Sequence, residues 1–558
     1  MGATRIEERE LAVQHKIDTT PVYFEACESV PEAGVLLLLP FLEETGLFSF
    51  REHYQELDPG YYYLDFTVLF LAFMYLRRIK NPEQLKHHSP GEFGKIMGLD
   101  RVPEAKCLRG KLKEICSQGH TSAWNMELAG KWSCAEENEF YYIDGHVQVY
   151  TGYQARLGKK HVSRQKLCLP GMQEFWVNNS RGMPYFYVTG QVNEKLLEML
   201  EGAIIPTLLE QMPCKYTPEE LEQDPDLPRL TLVFDREAYS PEFFKKIWDD
   251  HRIAVLTYRK AVKDCWEEKD FSPYLIDIES NPTTMMLEEK PVELNGVPMR
   301  EVRRLSDSHQ TSVITTNKKL SVLLIALYMF ARWSQENFFK YMRQDYDFDR
   351  IMQYTVEQID QEMVVNNPEY NNITYKIGKL REKISRRKAL LFELIEDHLK
   401  QDLDHSGKYQ QRQGKVREEL LELEQLEKEW LQARSRIPSR IKIGEMPQEI
   451  RYARLHTESK RFQNIIKMIC YRAETSFANL LSPGFKRSVD EKRTLVKSII
   501  KSPADIIPDE QNNQLTIKIY SQSSSRMNAA LQNVIQQINA CQTKYPGTNL
   551  VLNFEIAT

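Results

Sequence analysis

The sequence predicts a multidomain α/β (α+β) protein, with a mixed sheet between a helical N-terminal region and a long helical C-terminal region. Three observations carry this expectation. β-Rich runs interleave with helical runs from 138 to about 345, residues 31–130 read as short apolar helices separated by prolines, and 373–435 is charged and helical throughout. At about 150 residues per domain, a chain of 558 residues is expected to hold three or four units.

The N-terminal part carries apolar clusters such as VLFLAFMYL at 68–76, with breakers at Pro59-Gly60, Pro82, Pro90 and Pro103. Three short helices fit 82–117. The third sets Lys106, Arg109, Lys111 and Lys113 against an apolar stripe of Leu108, Leu112 and Ile115. Residues 1–130 are therefore expected to form a helical DNA-binding unit, with 82–117 as a helix-turn-helix candidate. An amphipathic helix with a solvated basic face accounts for the same pattern.

Strand-like runs follow at 138–153, 185–190, 230–235 and 253–258, with helical stretches at 193–212 and 241–251. Further strand-like pieces at 299–305 and 311–317 precede a helix beginning near Leu320. The pattern gives a core at 138–258 and 311–350, interrupted by a strand-rich insertion at 259–310.

Beyond the core, Ile377, Leu380, Ile384, Leu391 and Leu394 form one apolar stripe, and Val416, Leu420, Leu423 and Trp430 another. The breaker His405-Ser406-Gly407 separates them, so 373–435 is expected to fold as a helical hairpin of antiparallel coiled-coil type. A basic helical segment at 436–505, with a helix over 446–481, leads to a small βαβ end piece at 506–558.

Hydrophobic residues make up 42% and charged residues 27%, ordinary values for a globular protein. The nine cysteines are scattered without a CxxC pair, which disfavours a disulfide framework or a structural zinc site. Apolar runs fall short of the ~20 residues a membrane span needs, and a cytoplasmic protein is expected. The net charge of −5 hides polarity along the chain. Residues 376–388 hold seven basic and one acidic residue, and 434–501 hold sixteen and six, a field suited to DNA backbone.

Three carboxylates stand out. Asp144 lies in an apolar aromatic strand (YYIDGHV), where a buried carboxylate demands a partner or a metal. Asp235 ends a second such strand (LTLVFD), a favoured position for ligand sites and also for helix caps. Glu336 shares a helix face with Arg332, Lys340 and Arg343 by spacings of four and seven. A salt-bridge ladder is the plain alternative. If the carboxylates converge, they form an oxygen-only site suited to a pair of Mg²⁺ or Mn²⁺ ions.

The order strand-Asp (YYIDGH), strand-end Asp (LVFDREAYS) and helical Glu within R-x3-E-x6-R resembles the DDE insertion-sequence transposases with an RNase H-like catalytic domain, in the branch marked by a Tyr-Arg-Glu-Lys signature. The resemblance covers about 138–345. It implies Asp144, Asp235 and Glu336 as a catalytic, metal-binding triad and a strand-rich insertion before the Glu helix. It also implies DNA contacts by Arg332 and by the basic residue seven after Glu336. In two places the chain departs from the pattern: three residues rather than two separate Tyr328 from Arg332, and Arg343 replaces the final Lys, so Lys340 is expected to share its task. Such enzymes often hold a flipped base on an aromatic residue of the insertion, where Trp266 is the one tryptophan, although a buried core tryptophan is the plainer reading of it.

The basic stretch 156–166, with Lys159, Lys160 and Arg164, is expected beside Asp144, and Arg386 and Arg387 on the C-terminal hairpin are further candidates for phosphate contact. The function expected is metal-dependent strand cleavage at element ends and 3′-OH strand transfer into target DNA. The partners would be terminal inverted repeats, target DNA and a second copy of the chain in the DNA complex, and the setting a prokaryotic-type, nucleoid-associated one. A non-catalytic, transposase-derived DNA-binding scaffold and an RNase H-like nuclease without strand transfer are the alternatives.

Overall fold

The computed structural model describes all residues except 1–3, 18, 137, 153–154, 163–164, 191–193, 279–280, 331–332, 352–355, 358, 401–405, 449–450, 482–488 and 558. The chain opens with α1 (Ile6–Val13) and β1 (Cys27–Val30), then a 3₁₀ turn leads into α2 (Leu39–Glu44). Next come α3 (Leu64–Leu76), α4 (Pro90–Ile96), α5 (Ala105–Ser117) and α6 (Thr121–Glu136). Helix α3 is apolar on every side, and all but Asp65 of its residues are buried, as an all-round hydrophobic helix requires. Over 82–117 the expected short helices are present, the first as a 3₁₀ turn.

The large sheet collects β2 (Phe140–Val149), β3 (Lys159–Val162), β4 (Leu167–Asn178), β5 (Pro184–Gly190), β6 (Leu230–Phe234), β7 (Ile253–Tyr258), β8 (Ser272–Ile278), β9 (Asn281–Leu294), β10 (Val297–Ser306) and β11 (His309–Thr315). Its order is β3-β4-β2-β6-β7-β11-β10-β9-β8, with β5 also on β4. Strand β4 runs antiparallel to β2 and to β5, whereas β6 is parallel to β2 and β7 parallel to β6. Between β5 and β6 lie α7 (Leu196–Met199), a π turn, α8 (Ile205–Gln211) and α9 (Pro218–Gln223), and α10 (Pro241–His251) links β6 to β7. The expected insertion at 259–310 continues the sheet, because β11 pairs with both β10 and β7.

Strand β4 is absent from the sequence reading, and its Pro170-Gly171 pair explains why: it has the look of a turn. A Cβ on Gly171 would stand 2.3 Å from the carbonyl oxygen of Gln148, so only glycine permits that approach of β4 to β2.

After the sheet come α11 (Val322–Phe330) and α12 (Trp333–Tyr346), then the short strands β12 (Val356–Glu357) and β13 (Val364–Asn366). Helices α13 (Pro368–Lys400) and α14 (Ser406–Ser435) form an antiparallel hairpin over an apolar seam of Ile384, Leu394, Val416 and Leu420. Strands β14 (Arg440–Lys442) and β15 (Arg454–Leu455) pair with β13 and β12. The helix expected over 446–481 starts at Glu458 as α15 (Glu458–Leu481). Arg451 instead holds the preceding loop by donating to the carbonyls of Met446 and Gly444 at 2.8 and 2.7 Å.

The chain ends with α16 (Val489–Lys501), β16 (Ala504–Asp509), β17 (Gln514–Tyr520), α17 (Ser525–Ala540) and β18 (Val551–Ala557). Strand β1 pairs with β16, so the first and last segments share one sheet, ordered β1-β16-β17-β18. Helix α15 passes through the middle of a single core that joins both ends of the chain to α12. Among the described residues, no helix is long and apolar enough to cross a membrane.

Candidate active site

Strands β2 and β6 are in register, with Tyr142 beside Val233 and Ile143 beside Phe234. Asp144 and Asp235 are the next residues on each, so their backbones stand at neighbouring positions about 4.8 Å apart. Alternation puts Tyr142 and Asp144 on one face of β2, and Val233 and Asp235 on the same face of β6. That face is identified by contacts. Tyr142 and Val233 pack with Ile325 and Met329 of α11, and the Tyr142 hydroxyl donates to the carbonyl of Tyr328 at 2.9 Å.

Helix α12 covers the continuation of this face. His146, two residues beyond Asp144, stacks on Phe339 at 5.1 Å between centroids and on Phe348 at 4.9 Å, and its Nε2 meets Asp349 Oδ1 at 2.5 Å. Trp176, directly across from Asp144 on β4, packs against Phe338 and Phe339 at 5.6 and 6.3 Å. Glu336 lies one turn before Phe339, in the first turn of α12, and is exposed. The fold therefore brings the elements carrying all three carboxylates to one face. Among the described residues, however, no three His, Cys, Asp or Glu side chains are gathered closely enough to hold a metal ion.

Asp235 also caps the following 3₁₀ turn, accepting from its neighbour Arg236 N–H at 2.6 Å. Lys340 is exposed and Arg343 half-buried. Tyr328 serves packing, its ring 4.2 Å from that of Phe140. Arg332 and Arg164 lie outside the described residues.

Lys159 is exposed on β3. Lys160 instead turns among carboxylates: burial pushes its amine below the usual lysine range, against the pull of Glu194, Glu237 and Glu198. Burial raises the Glu237 carboxyl, opposed by a hydrogen bond from Gln173 and by Lys160. A cavity of about 390 Å³, lined by residues that include Thr121, Tyr187, Glu198 and Arg461, contains none of the candidate site residues.

Lys106 and Arg109 lie on the exposed side of α5, Arg109 paired with Glu83. On the hairpin, Arg381, Arg387 and Lys388 pair with Glu427, Glu419 and Glu424 of α14. Arg386 and Lys383 remain exposed on the same helix, with no ion pair among the described residues. Trp266 is half-buried, with Arg303 4.2 Å and Lys290 4.8 Å from its ring centre, so cations of β10 and β9 already occupy its surroundings.

The basic stretch at 434–501 differs most from expectation. Lys460, Lys467, Arg472 and Arg493 are buried rather than displayed. Arg472 meets Glu136 at 2.7 Å, donates to the carbonyl of Pro184 at 2.8 Å and lies over Trp132 at 4.1 Å. Glu174, buried on β4, accepts from Gln148 at 2.5 Å and from Trp176 at 3.1 Å. His146 is marked in the sequence only by its place two residues after Asp144, on the same strand face.

The sheet thus sets Asp144, within β2, beside Asp235, just past the end of β6, with α12 packed on the same face. A family model described as a transposase protein matches residues 1–558, and the chain belongs to this transposase family, whose partner is DNA. No curated protein and no solved structure matches the chain.

Proposed function

We propose that the protein is a DDE-type transposase whose RNase H-like core cleaves element ends and joins the freed 3′-hydroxyl to target DNA. The observation that carries this reading is the adjacency of Asp144 and Asp235 on parallel strands, on the face that α12 covers. The strand order β5-β4-β2-β6-β7, with β4 antiparallel and β6 and β7 parallel to β2, also supports it.

The donor set of Asp144, Asp235 and Glu336 is oxygen-only and suits Mg²⁺ or Mn²⁺, which when bound activates the attacking oxygen and stabilises the leaving one. The rest falls to the chain. β2 and β6 fix the two aspartates at their backbones, and the stack of His146 on Phe339 fixes α12 above them. Lys340 and Arg343 supply positive charge for the phosphates. Water attacks first and releases a 3′-hydroxyl. That hydroxyl then attacks a target phosphodiester and displaces a second 3′-oxygen, with no covalent link to protein. Two ends call for two copies of the chain on the DNA.

Incubation with end-bearing DNA and Mn²⁺ tests the reading: Asp144→Ala abolishes nicking while DNA binding persists, and undiminished nicking would sink the triad. A second reading, a DNA-binding scaffold without catalysis, draws on the ungathered carboxylates, and binding with no metal-dependent scission in the unaltered protein would favour it. Cleavage without joining of 3′-OH ends would point to a nuclease.

A further inference from the structure

The end of α12 remote from Glu336 is tied to parts of the chain outside the large sheet. Arg78 follows α3 in a left-handed backbone conformation, φ 66°, and each of its three guanidinium nitrogens donates. Nη1 reaches the carbonyls of Leu76 and Tyr75 at 2.9 and 3.4 Å, which holds the guanidinium to the end of α3. Nη2 donates to Glu474 Oε1 of α15 at 2.6 Å and to the hydroxyl oxygen of Tyr341 at 3.0 Å, and Nε to Asp345 Oδ1 at 3.2 Å.

The Tyr341 hydroxyl donates onward to Glu474 Oε2 at 2.9 Å, and Lys497 of α16 donates to Asp345 Oδ2 at 2.8 Å. Arg493 lies 4.3 Å from the Tyr341 ring centre and 4.4 Å from that of Tyr471. Tyr341 and Asp345 stand four apart, on one face of α12, so a planar fork gripping both fixes the helix in rotation and along its axis. An ion pair between Arg78 and Glu474 would neutralise both charges without α12. The geometry instead gives Nε and a second Nη2 hydrogen bond to that helix.

We propose that Arg78 is a positioning residue for Glu336, setting the register of α12 through Tyr341 and Asp345, so that the N-terminal helix α3 and the C-terminal helices α15 and α16 decide where the glutamate stands. The proposal rests on the catalytic reading of Glu336 given above. A lysine at position 78 keeps the charge but cannot grip both partners.

The test uses the full chain with end-bearing DNA and Mn²⁺. Arg78→Lys is expected to bind DNA as the parent does, to bind Mn²⁺ roughly tenfold more weakly by calorimetry, and to need correspondingly more Mn²⁺ for half-maximal nicking. Amides of 337–346 should exchange hydrogen faster. Unchanged Mn²⁺ affinity and unchanged exchange overturn the proposal. Should Arg78→Lys fail to fold, Tyr341→Phe decides, with a shift in the same direction expected and none overturning it. Glu336→Gln separates the two levels. If it is inactive while Arg78→Lys matches the parent, only the positioning role falls; if it nicks like the parent, the catalytic reading beneath it falls as well.

Discussion

The imidazole of His146 lies nearly flat on the ring of Phe339, with 10° between their planes, and so joins the strand of Asp144 to the helix of Glu336. Removing a stacked, buried ring leaves a cavity as well as a lost contact. His146→Ala should cost about 3 kcal/mol of stability, read as a lower midpoint in urea. Under native conditions it should also slow nicking. His146→Phe, which keeps the stack and loses the bond to Asp349, should recover most of the stability.

Arg472 is a buried cation whose neighbours depend on it. Burial lowers its pKa, opposed chiefly by Glu136. Arg472→Ala takes the cation from Glu136, which keeps hydrogen bonds from Asn179 and Tyr185, and removes two donors from the Pro184 carbonyl. It should cost roughly 3 kcal/mol, the lower end of the range for breaking a buried pair. Arg472→Ala combined with Glu136→Gln should cost less than the sum of the two single changes, measured as a double-mutant cycle in denaturant.

Lys467 provides a pH test. Burial, with the like charge of Lys460 second, lowers its amine from 10.5 to about 7. Between those values the unfolded chain holds a proton that the folded chain has released. Stability therefore rises with pH across the window, by about 1.4 kcal/mol per unit. Lys467→Met should raise the melting temperature at pH 7 and flatten this dependence between pH 7 and 10, as calorimetric scans at several pH values would show. A slope that persists in the variant would refute the assignment.

The hairpin gives a contrast between two sets of cations. Lys383 and Arg386 are exposed, while Arg381, Arg387 and Lys388 face glutamates across the seam. If the hairpin lies on DNA backbone, Lys383→Ala with Arg386→Ala should reduce the dependence of log Kd on log salt by about two units at most. Single alanines at Arg381 or Arg387 should change stability by less than about 1 kcal/mol, as exposed pairs do.

Much of the sheet was legible because β6 and β7 are short apolar runs and β2 opens on one, with Asp144 within β2 and Asp235 just past β6 standing where a carboxylate needs a reason. Strand β4 was not, because Pro170, Gly171, Gln173 and Glu174 read as a loop until Glu174 is seen bonded to Gln148 and Trp176. The cations of α15 looked like a surface field for a similar reason. Their counter-charges, Glu136 for Arg472 and Glu174 for Lys460, lie hundreds of residues earlier, and charge pairing over such distances leaves no local pattern. Arg78 was equally silent, since nothing local links it to Tyr341, Asp345 and Glu474.

The pairing of β1 with β16 also has a consequence in time. Ser29 N–H donates to Asp505 Oδ1 across 476 positions of chain. At about 5–20 residues per second of synthesis, some tens of seconds separate the appearance of the two strands. For most of that interval the largely apolar α3 waits for α15, the helix that packs on it. A nascent chain of this protein should thus call on chaperones for longer, and slowing translation downstream of α3 should lower the yield of folded transposase without altering a single residue.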